Sequence, residues 1–442
     1  MKNEQIFLIS LGCPKNLVDS EVMLGLLVEK GYVITTVPSQ AEIILINTCS
    51  FIKDATRETL DAIHEAVDLK RSGSCRLLIV TGCLPQRYGQ DLAREIPEVD
   101  FFLGTEEFHG IAQYLEKPAD PKERVAIRRT SFLYDHQTPR LLSGHSSSAY
   151  IKIAEGCSRS CSFCVIPSLR GRFRSRPMDS IVQEASLLVD QGVREINLVA
   201  QETTSYGLDL QDRTTLKRLL ERLCLIEDLR WIRVLYAYPE HIDRGLLRLM
   251  GSSEKICNYI DLPIQHIDEK ILRSMGRPVS RKFLEGLIGQ IRGEIPDVAI
   301  RTTLMVGFPG ERAAQFSELV DFVEATRFER LGVFEFSPEE GTEAARMGEH
   351  VPAPVKKRRR ERLMALQQRI SLDYNRKLIG KTIVALTEGP RGHDGMLTAR
   401  METQAPEVDG QIIITKGRAA PGQVVDVRIT RAHPYDLEGE MV

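Results

Sequence analysis

The stretch AEGCSRSCSFCVIP, Ala154 to Pro167, decides how this chain is read. It sets Cys157, Cys161 and Cys164 in a C-x3-C-x2-C array, directly after an apolar run (YIKIA, from Tyr150) that reads as a strand. Zinc sites usually take four ligands, commonly with C-x2-C pairs. A four-iron cluster ordinarily takes four thiolates. Here three cysteines stand together and no fourth follows nearby. Three thiolates on a cube of four irons leave one iron open, the iron counterpart of a catalytic metal with a vacant position. The spacing therefore points to a 4Fe-4S centre that can hold a small molecule.

Around this array the chain alternates strands and helices. Six strand candidates begin at Tyr150, Glu195, Trp231, Tyr259, Ala299 and Leu331, with helical patterns such as Met178–Asp190 and Thr215–Leu225 between them. Six such units suit a partial (β/α)6 barrel rather than the full eight. The cysteine array follows the first strand, which puts it at the carboxyl mouth of the barrel, where sites on such folds are built.

The first hundred residues alternate in the same way, which implies a parallel sheet covered on both faces. QIFLIS (from Gln5), EIILINT (from Glu42) and RLLIVTG (from Arg76) read as strands; Leu17–Lys30, Asp54–Arg71 and a segment around Leu92 read as helices. Cys13 in SLGCPKN, Cys49 in INTCSF and Cys83 in VTGCLPQ each follow one of these strands directly. Parallel strands point the same way, so all three thiols emerge at one carboxyl edge, where open α/β sheets bind their ligands. They are the expected ligands of a second 4Fe-4S cluster. Cys75 lies at the start of its strand and is excluded; Cys224 and Cys257 read as packing residues.

Composition narrows the remaining possibilities. The chain has 442 residues, 42% hydrophobic and 27% charged, with a formal net charge of −2. It is no polycation, so overall charge gives no reason to expect nonspecific nucleic-acid binding. No apolar run is long enough to span a bilayer, and a cytoplasmic location is expected. There are nine cysteines, an odd number, and disulfides are not expected in that compartment. No glycine-rich dinucleotide fingerprint or phosphate loop is present.

The expected organisation is an α/β class chain: an N-terminal α/β domain over 1–120, a polar linker over 121–148 that includes SGHSSS, the barrel over 149–350, a charged helical linker over 351–376 opening VKKRRRER, and a small all-β barrel over 377–442. The last rests on short β-rich runs separated by Gly-Pro, Gly-His-Asp-Gly and Pro-Gly turns. LRGRFRSRP, from Leu169, places Arg170, Arg172, Arg174 and Arg176 on one cationic face if the segment is extended. The nine histidines show no ligand spacing.

The cysteine array resembles the signature of the radical S-adenosylmethionine (SAM) superfamily. That resemblance implies SAM chelated to the open iron, and cleavage of its sulfonium bond by one electron to give a 5′-deoxyadenosyl radical. Phe163 matches the aromatic position before the last cysteine, whose backbone lies near the adenine in that superfamily. The Gly-Gly-Glu common after the second strand is absent; in its place LVAQETTSYG offers Gln201 and Glu202 as candidates to touch SAM. Arg170 is a candidate for SAM's carboxylate or for a substrate aspartate.

The three-part organisation, with its second cysteine trio, resembles the methylthiotransferase family over nearly the whole chain, and its C-terminal module resembles TRAM. The resemblance implies two 4Fe-4S clusters, SAM used both as methyl donor and as radical source, and an electron donor and a sulfur donor as partners. A radical is the physically necessary agent, because no side-chain acid or base removes hydrogen from an unactivated carbon.

One branch of that family modifies an adenosine of transfer RNA. The other modifies an aspartate β-carbon in small-subunit ribosomal protein S-twelve, free or within the ribosome. SLGCPKNLVDSE, LYAYPEH, YIDLPIQH, MVGFPGE and FSPEEGT look like the second branch. From Lys377 to Val442 there are eight Lys or Arg, nine Asp or Glu, and a single aromatic, Tyr435. A module that grips RNA should be basic and interleaved with aromatics, whereas a slightly acidic surface suits a basic ribosomal protein. Methylthiolation of transfer RNA, or a non-enzymatic iron–sulfur electron carrier, are the alternative readings.

Overall fold

A computed structural model describes residues 4–116, 123–143, 147–212, 214–391 and 395–442. The chain packs as two units. The first takes the described residues up to Ser143 together with Ala154–Arg159 and Cys164–Ile181; the second takes the rest. No helix among the described residues is long and apolar enough to cross a membrane.

The first unit is built on a parallel sheet of β1 (Gln5–Ser10), β2 (Val33–Ile34), β3 (Ile43–Thr48), β4 (Leu77–Gly82), β5 (Phe101–Leu103) and β6 (Val125–Ala126), in the order β2-β1-β3-β4-β5-β6. Every residue of β3 and β4 is buried, as central strands covered on both faces require. The expected strands are present. β2, β5 and β6 were not legible, because two or three residues are too few for a period to emerge. Helix α1 (Pro14–Glu29) follows β1, α2 (Lys53–Ser72) follows β3, and α3 (Cys83–Glu95) follows β4. In α2, Thr59, Ile63, Ala66 and Val67 are buried, the single apolar stripe of a helix laid on a sheet. Three of these, Ile63, Ala66 and Val67, join Ile44, Ile46, Leu78, Val80 and Phe102 in one core.

Much of the polar stretch expected as a linker is tied to this unit. Glu106 is buried, and its carboxylate accepts the amides of Ser131 (2.7 Å) and Phe132. Glu21, also buried, accepts Arg140 Nη2 at 2.6 Å and the Ser143 amide at 2.9 Å. Buried carboxylates need such donors, and their partners lie over a hundred residues away for Glu21. The expected Ser143–Ser148 linker and Gly392–Gly395 turn fall partly on residues outside those described. Helix α4 (Ile111–Glu116) packs beside α1.

In the second unit, β7 (Ser148–Lys152), β10 (Glu195–Val199) and β11 (Trp231–Val234) form one parallel sheet, and β12 (Tyr259–Asp261), β13 (Ala299–Val306) and β14 (Arg330–Glu335) another. The two are stitched between β11 and β12: Cys257 N donates to Ile232 O at 3.0 Å and Ala237 N to Asp261 O at 2.9 Å. The six expected strands thus run side by side in chain order, a partial barrel. The intervening β8 (Ala154–Glu155) and β9 (Arg174–Ser175) pair antiparallel within the first unit.

The C-terminal part is a closed barrel of β15 (Thr382–Arg391), β16 (Met396–Met401), β17 (Ile412–Lys416), β18 (Val424–Ala432) and β19 (Leu437–Met441), in the order β15-β16-β17-β19-β18. The fifth strand, LEGEM, lacks the β-branched and aromatic residues that mark strands in sequence; it forms because Leu437 fills the barrel core with Ala385, Met401, Ile412 and Val427. Contacts to the parallel strands come near their amino ends. Glu195, the first residue of β10, is buried between Arg233 (Nη2, 2.9 Å) and Arg400, and Arg400 also pairs with Glu388. The Tyr259 hydroxyl donates to Asp409 Oδ2 at 2.7 Å. The small barrel therefore sits away from the carboxyl mouth of the partial barrel.

Candidate cluster sites

Three strand-to-helix turns bring the N-terminal cysteines to one edge. Cys13 caps the start of α1, Cys83 is the first residue of α3, and Cys49 follows β3 directly. The turns are packed tightly. Gly12 has φ +95°, and a Cβ there would stand 2.7 Å from Cys49 Cβ and 3.0 Å from its Sγ; only glycine allows both the backbone and the approach. Asn16 fastens the turns, its Nδ2 donating to Leu11 O (3.0 Å) and Thr48 O (2.9 Å). The Thr59 hydroxyl holds Cys49 O at 2.9 Å, and the Thr48 hydroxyl donates to Thr81 O and accepts the Leu84 amide.

The thiols respond to one another. Burial pushes Cys49 up to about 12, with Cys83 and Cys13 adding to the rise. Burial also raises Cys83, against the opposing pull of Arg170. For Cys13 burial acts upward, but Lys15, Arg170 and the amides of Asn16 and Lys15 outweigh it and hold the thiol below its ordinary value. Cys75 is buried in the sheet core with its Sγ on Leu77 O, and Cys257 is likewise a core residue.

Arg170 reaches this edge from the segment after the central array. The sequence allowed one cationic face for Arg170, Arg172, Arg174 and Arg176; the structure corrects this. Ile166–Arg170 is a short helix, α5, with Pro167 in its first turn, and Gly171 (φ +73°) ends it. Only Arg174–Ser175 is strand. Arg170 is buried, Arg172 is exposed, and Arg176 is buried with its guanidinium 3.9 Å from the Tyr134 ring centroid. Arg170 Nη1 donates to Asp19 Oδ2 (2.7 Å) and Glu155 Oε1 (3.3 Å); Nη2 donates to Asn16 Oδ1 and lies 3.9 Å from Cys83 Sγ.

Cys157 and Cys164 lie in the first unit and Cys161 in the second. All three are half-buried. In the first unit, Cys157 N donates to Gly171 O at 3.1 Å, and a Cβ on Gly156 (φ +77°) would collide with Arg172 O at 2.3 Å. In the second, the Ser162 hydroxyl donates to Ser274 O at 2.7 Å, and Arg277 Nη1 lies 4.0 Å from Cys161 Sγ while its Nη2 holds Pro263 O at 2.6 Å. Arg277 was not singled out in sequence, because a lone arginine in a loop carries no local signal; only the fold brings it to a thiol 116 residues away.

Phe163 is half-buried beside the array. Gln201 and Glu202 lie in the turn after β10, at the carboxyl mouth. The buried Glu202 carboxylate accepts the Ser205 amide at 2.8 Å and the hydroxyls of Thr204 and Ser205. That turn is tied to the one after β11, where Thr203 N donates to Tyr236 O at 3.0 Å. Tyr236 (φ 62°) and Gln265 (φ 70°) hold left-handed backbone after β11 and β12; such strain in non-glycine residues gathers at functional edges.

Among the described residues, no three His, Cys, Asp or Glu side chains are set to grip a single metal ion. A cubane holds its thiolates on separate irons, farther apart than the ligands of one ion. The donor chemistry fits a cluster: thiols without competing metal ligands, at turns fixed by hydrogen bonds, each trio with an arginine beside one sulfur.

The run Lys356–Arg360 opens the helix Ala353–Arg376. It is not a uniform solvated face. Arg359 is buried against Glu311 (3.1 Å) and Phe316, and Lys356 Nζ donates to Phe336 O at 2.6 Å. Lys357, Arg358 and Arg360 face solvent.

Comparison with known proteins agrees with this architecture. Residues 5–104 match the model of the uncharacterized protein family UPF0004, 151–323 the radical SAM superfamily, and 379–442 the TRAM domain. A ribosomal protein uS12 methylthiotransferase RimO from Geobacter sulfurreducens is 49% identical over 99% of this chain and 99% of its own length. Those of Geotalea uraniireducens (48%, covering 99% and 98%) and Myxococcus xanthus (46%, covering 99% and 92%) are similar. Among solved structures, the radical SAM methyltransferase TsrM from Kitasatospora setae superposes with TM-score 0.55 at 16% identity over 75% of each chain. The cobalamin-dependent SAM radical enzyme OxsB gives 0.54 at 11% identity over 83% of this chain and 56% of its own. At such identities these two speak for the fold alone. With identity near one half along its entire length and all three modules in order, the chain belongs to the RimO family of radical SAM methylthiotransferases.

Proposed function

We propose that this protein places a methylthio group on the β-carbon of an aspartate in ribosomal protein S-twelve, using two 4Fe-4S clusters and SAM. The observation that carries the reading is the second cysteine trio: Cys13, Cys49 and Cys83 on one sheet edge, separate from the Cys157, Cys161 and Cys164 array. A radical enzyme that only cleaved SAM would need the latter alone. When bound, the cluster and SAM supply a carbon radical able to take hydrogen from an unactivated carbon.

The residues have separable duties in this proposal. Each trio of thiolates holds one cluster and leaves an iron open. Phe163, Gln201 and Glu202 border the SAM site, with the Glu202 turn shaping its floor. Arg170 lies instead against Cys83 of the N-terminal trio. Residues 1–120 carry the sulfur-handling cluster, 149–350 the radical centre and 377–442 the TRAM-like barrel, with 121–148 and 351–376 between them. An electron donor and a sulfur donor are required as partners.

A protein substrate is favoured over RNA by the barrel's charge. Arg400 is paired internally with Glu195 and Glu388, so it adds no free cation to a module that carries eight Lys or Arg against nine Asp or Glu. RNA-gripping modules need the opposite. The relatives also carry uS12 in their names. The deciding experiment is mass spectrometry of ribosomal protein S-twelve and of transfer-RNA nucleosides from a deletion strain. The expected result is loss of the methylthio group from the protein only. Loss from the nucleoside, with the protein unchanged, transfers the activity to the other substrate. A carrier without enzymatic activity would form no 5′-deoxyadenosine from SAM under reducing conditions.

A further inference from the structure

We infer that Arg170 sets the reduction potential of the cluster held by Cys13, Cys49 and Cys83, acting as a fixed cation and N–H donor at the Cys83 sulfur. The inference rests on the two-cluster reading above.

The geometry is asymmetric in a telling way. One guanidinium nitrogen, Nη1, is taken by the carboxylates of Asp19 and Glu155; the other, Nη2, by Asn16 Oδ1 and the Cys83 sulfur. The side chain is 3% exposed, and its carboxylate partners 5% and 3%. A planar fork gripped on one side cannot turn, so its remaining edge stays aimed at the thiol. A structural ion pair alone needs only the Nη1 side. The partners also span both cysteine arrays: Asn16 and Asp19 lie three and six residues after Cys13, and Glu155 lies two residues before Cys157.

The consequence follows from elementary electrostatics. One-electron reduction of a cluster adds one negative charge and, at this always-protonated arginine, moves no proton. A nearby cation and an N–H···S hydrogen bond both stabilise the reduced form, and cluster potentials respond to net charge and to hydrogen bonds on sulfur. Arg170 should therefore hold the potential up. Asp19, as its counter-charge, should hold it down.

The test uses full-length protein carrying Cys157→Ala, Cys161→Ala and Cys164→Ala, reconstituted anaerobically with iron and sulfide. If this parent binds no iron, the two-cluster reading fails before Arg170 is touched. If it binds a cluster, EPR-monitored potentiometry with a chemical reductant is run on the parent and on added Arg170→Gln, Arg170→Lys or Asp19→Asn. The expected midpoint order, from highest, is Asp19→Asn, parent, Arg170→Lys, Arg170→Gln. Equal potentials in variants that keep their iron overturn the inference and leave Arg170 a purely structural residue. If Arg170→Gln fails to fold, Asp19→Asn decides: an upward shift supports the assignment and an unchanged midpoint overturns it.

Discussion

Glu195 and Arg400 form a buried ion pair across 205 residues of sequence, joining the first residue of β10 to strand β16 of the small barrel. Arg233 holds the same carboxylate from β11, and Glu388 holds Arg400 from β15. The barrel is thereby bolted to the parallel strands through charges that have no access to water. Replacing Arg400 by Met should cost about 3–5 kcal/mol, because it strands Glu388 without a partner and halves the support of Glu195. Urea denaturation of the full chain, with limited proteolysis of the barrel, measures this.

The same carboxylate gives a pH signature. Burial alone would raise Glu195, but Arg400 and Arg233 bring it down to about 2, from an ordinary 4.5. A depressed carboxylate contributes stability that is complete above the ordinary value and lost as pH falls toward the folded one. Stability should therefore decline between pH 4.5 and 2. In Glu195→Gln the part of that slope due to this residue disappears, which a comparison of melting temperatures across the range will detect.

Iron content separates the cysteines. The Cys157→Ala, Cys161→Ala, Cys164→Ala variant and the Cys13→Ala, Cys49→Ala, Cys83→Ala variant should each keep about half of the wild-type iron, since each is expected to lose one of two cubes. Cys75→Ser should keep all of it, because that thiol faces the sheet core. Anaerobic iron and sulfide assays decide.

Gly12→Ala should damage the N-terminal site selectively. The new Cβ must displace Cys49 from 2.7 Å while the backbone stays at φ +95°, a strain of about 1–3 kcal/mol before any clash is counted. The expected result is loss of about half the iron with the central cluster intact. Full iron retention would mean that the two turns can separate without harm.

Within Lys356–Arg360, substitutions should divide sharply. Arg359→Ala leaves Glu311 buried and uncovers Phe316, at a cost of about 3 kcal/mol. Lys357→Ala and Arg358→Ala, on the solvent side, should change stability by less than about 0.5 kcal/mol. Thermal unfolding of the three variants checks this. If the exposed cations touch ribosomal RNA, the latter two will instead weaken binding to the ribosome at low salt.

Much was legible in the residue string alone. The apolar runs IILI and LLIV, alternating with helical patterns, read as buried parallel strands, and a cysteine just after each such strand emerges at the carboxyl edge. The C-x3-C-x2-C spacing announced its own chemistry, and local periodicity sufficed for the six strands of the partial barrel and four of the small one. Short strands such as Phe101–Leu103 and Val125–Ala126 escaped, since no period fits in so few residues.

What only the tertiary structure decided is the partnership of charges. Arg170 in sequence is one of four alternating arginines. In the fold it is sealed between Asp19 and Glu155 against Cys83, 87 residues away. Arg277 and Arg400 likewise had no local signal. Periodicity and spacing are written along the chain, within reach of a turn or two. A buried charge is tolerable only beside counter-charges that long-range folding delivers, and those positions cannot be read until strands far apart in sequence have been set side by side.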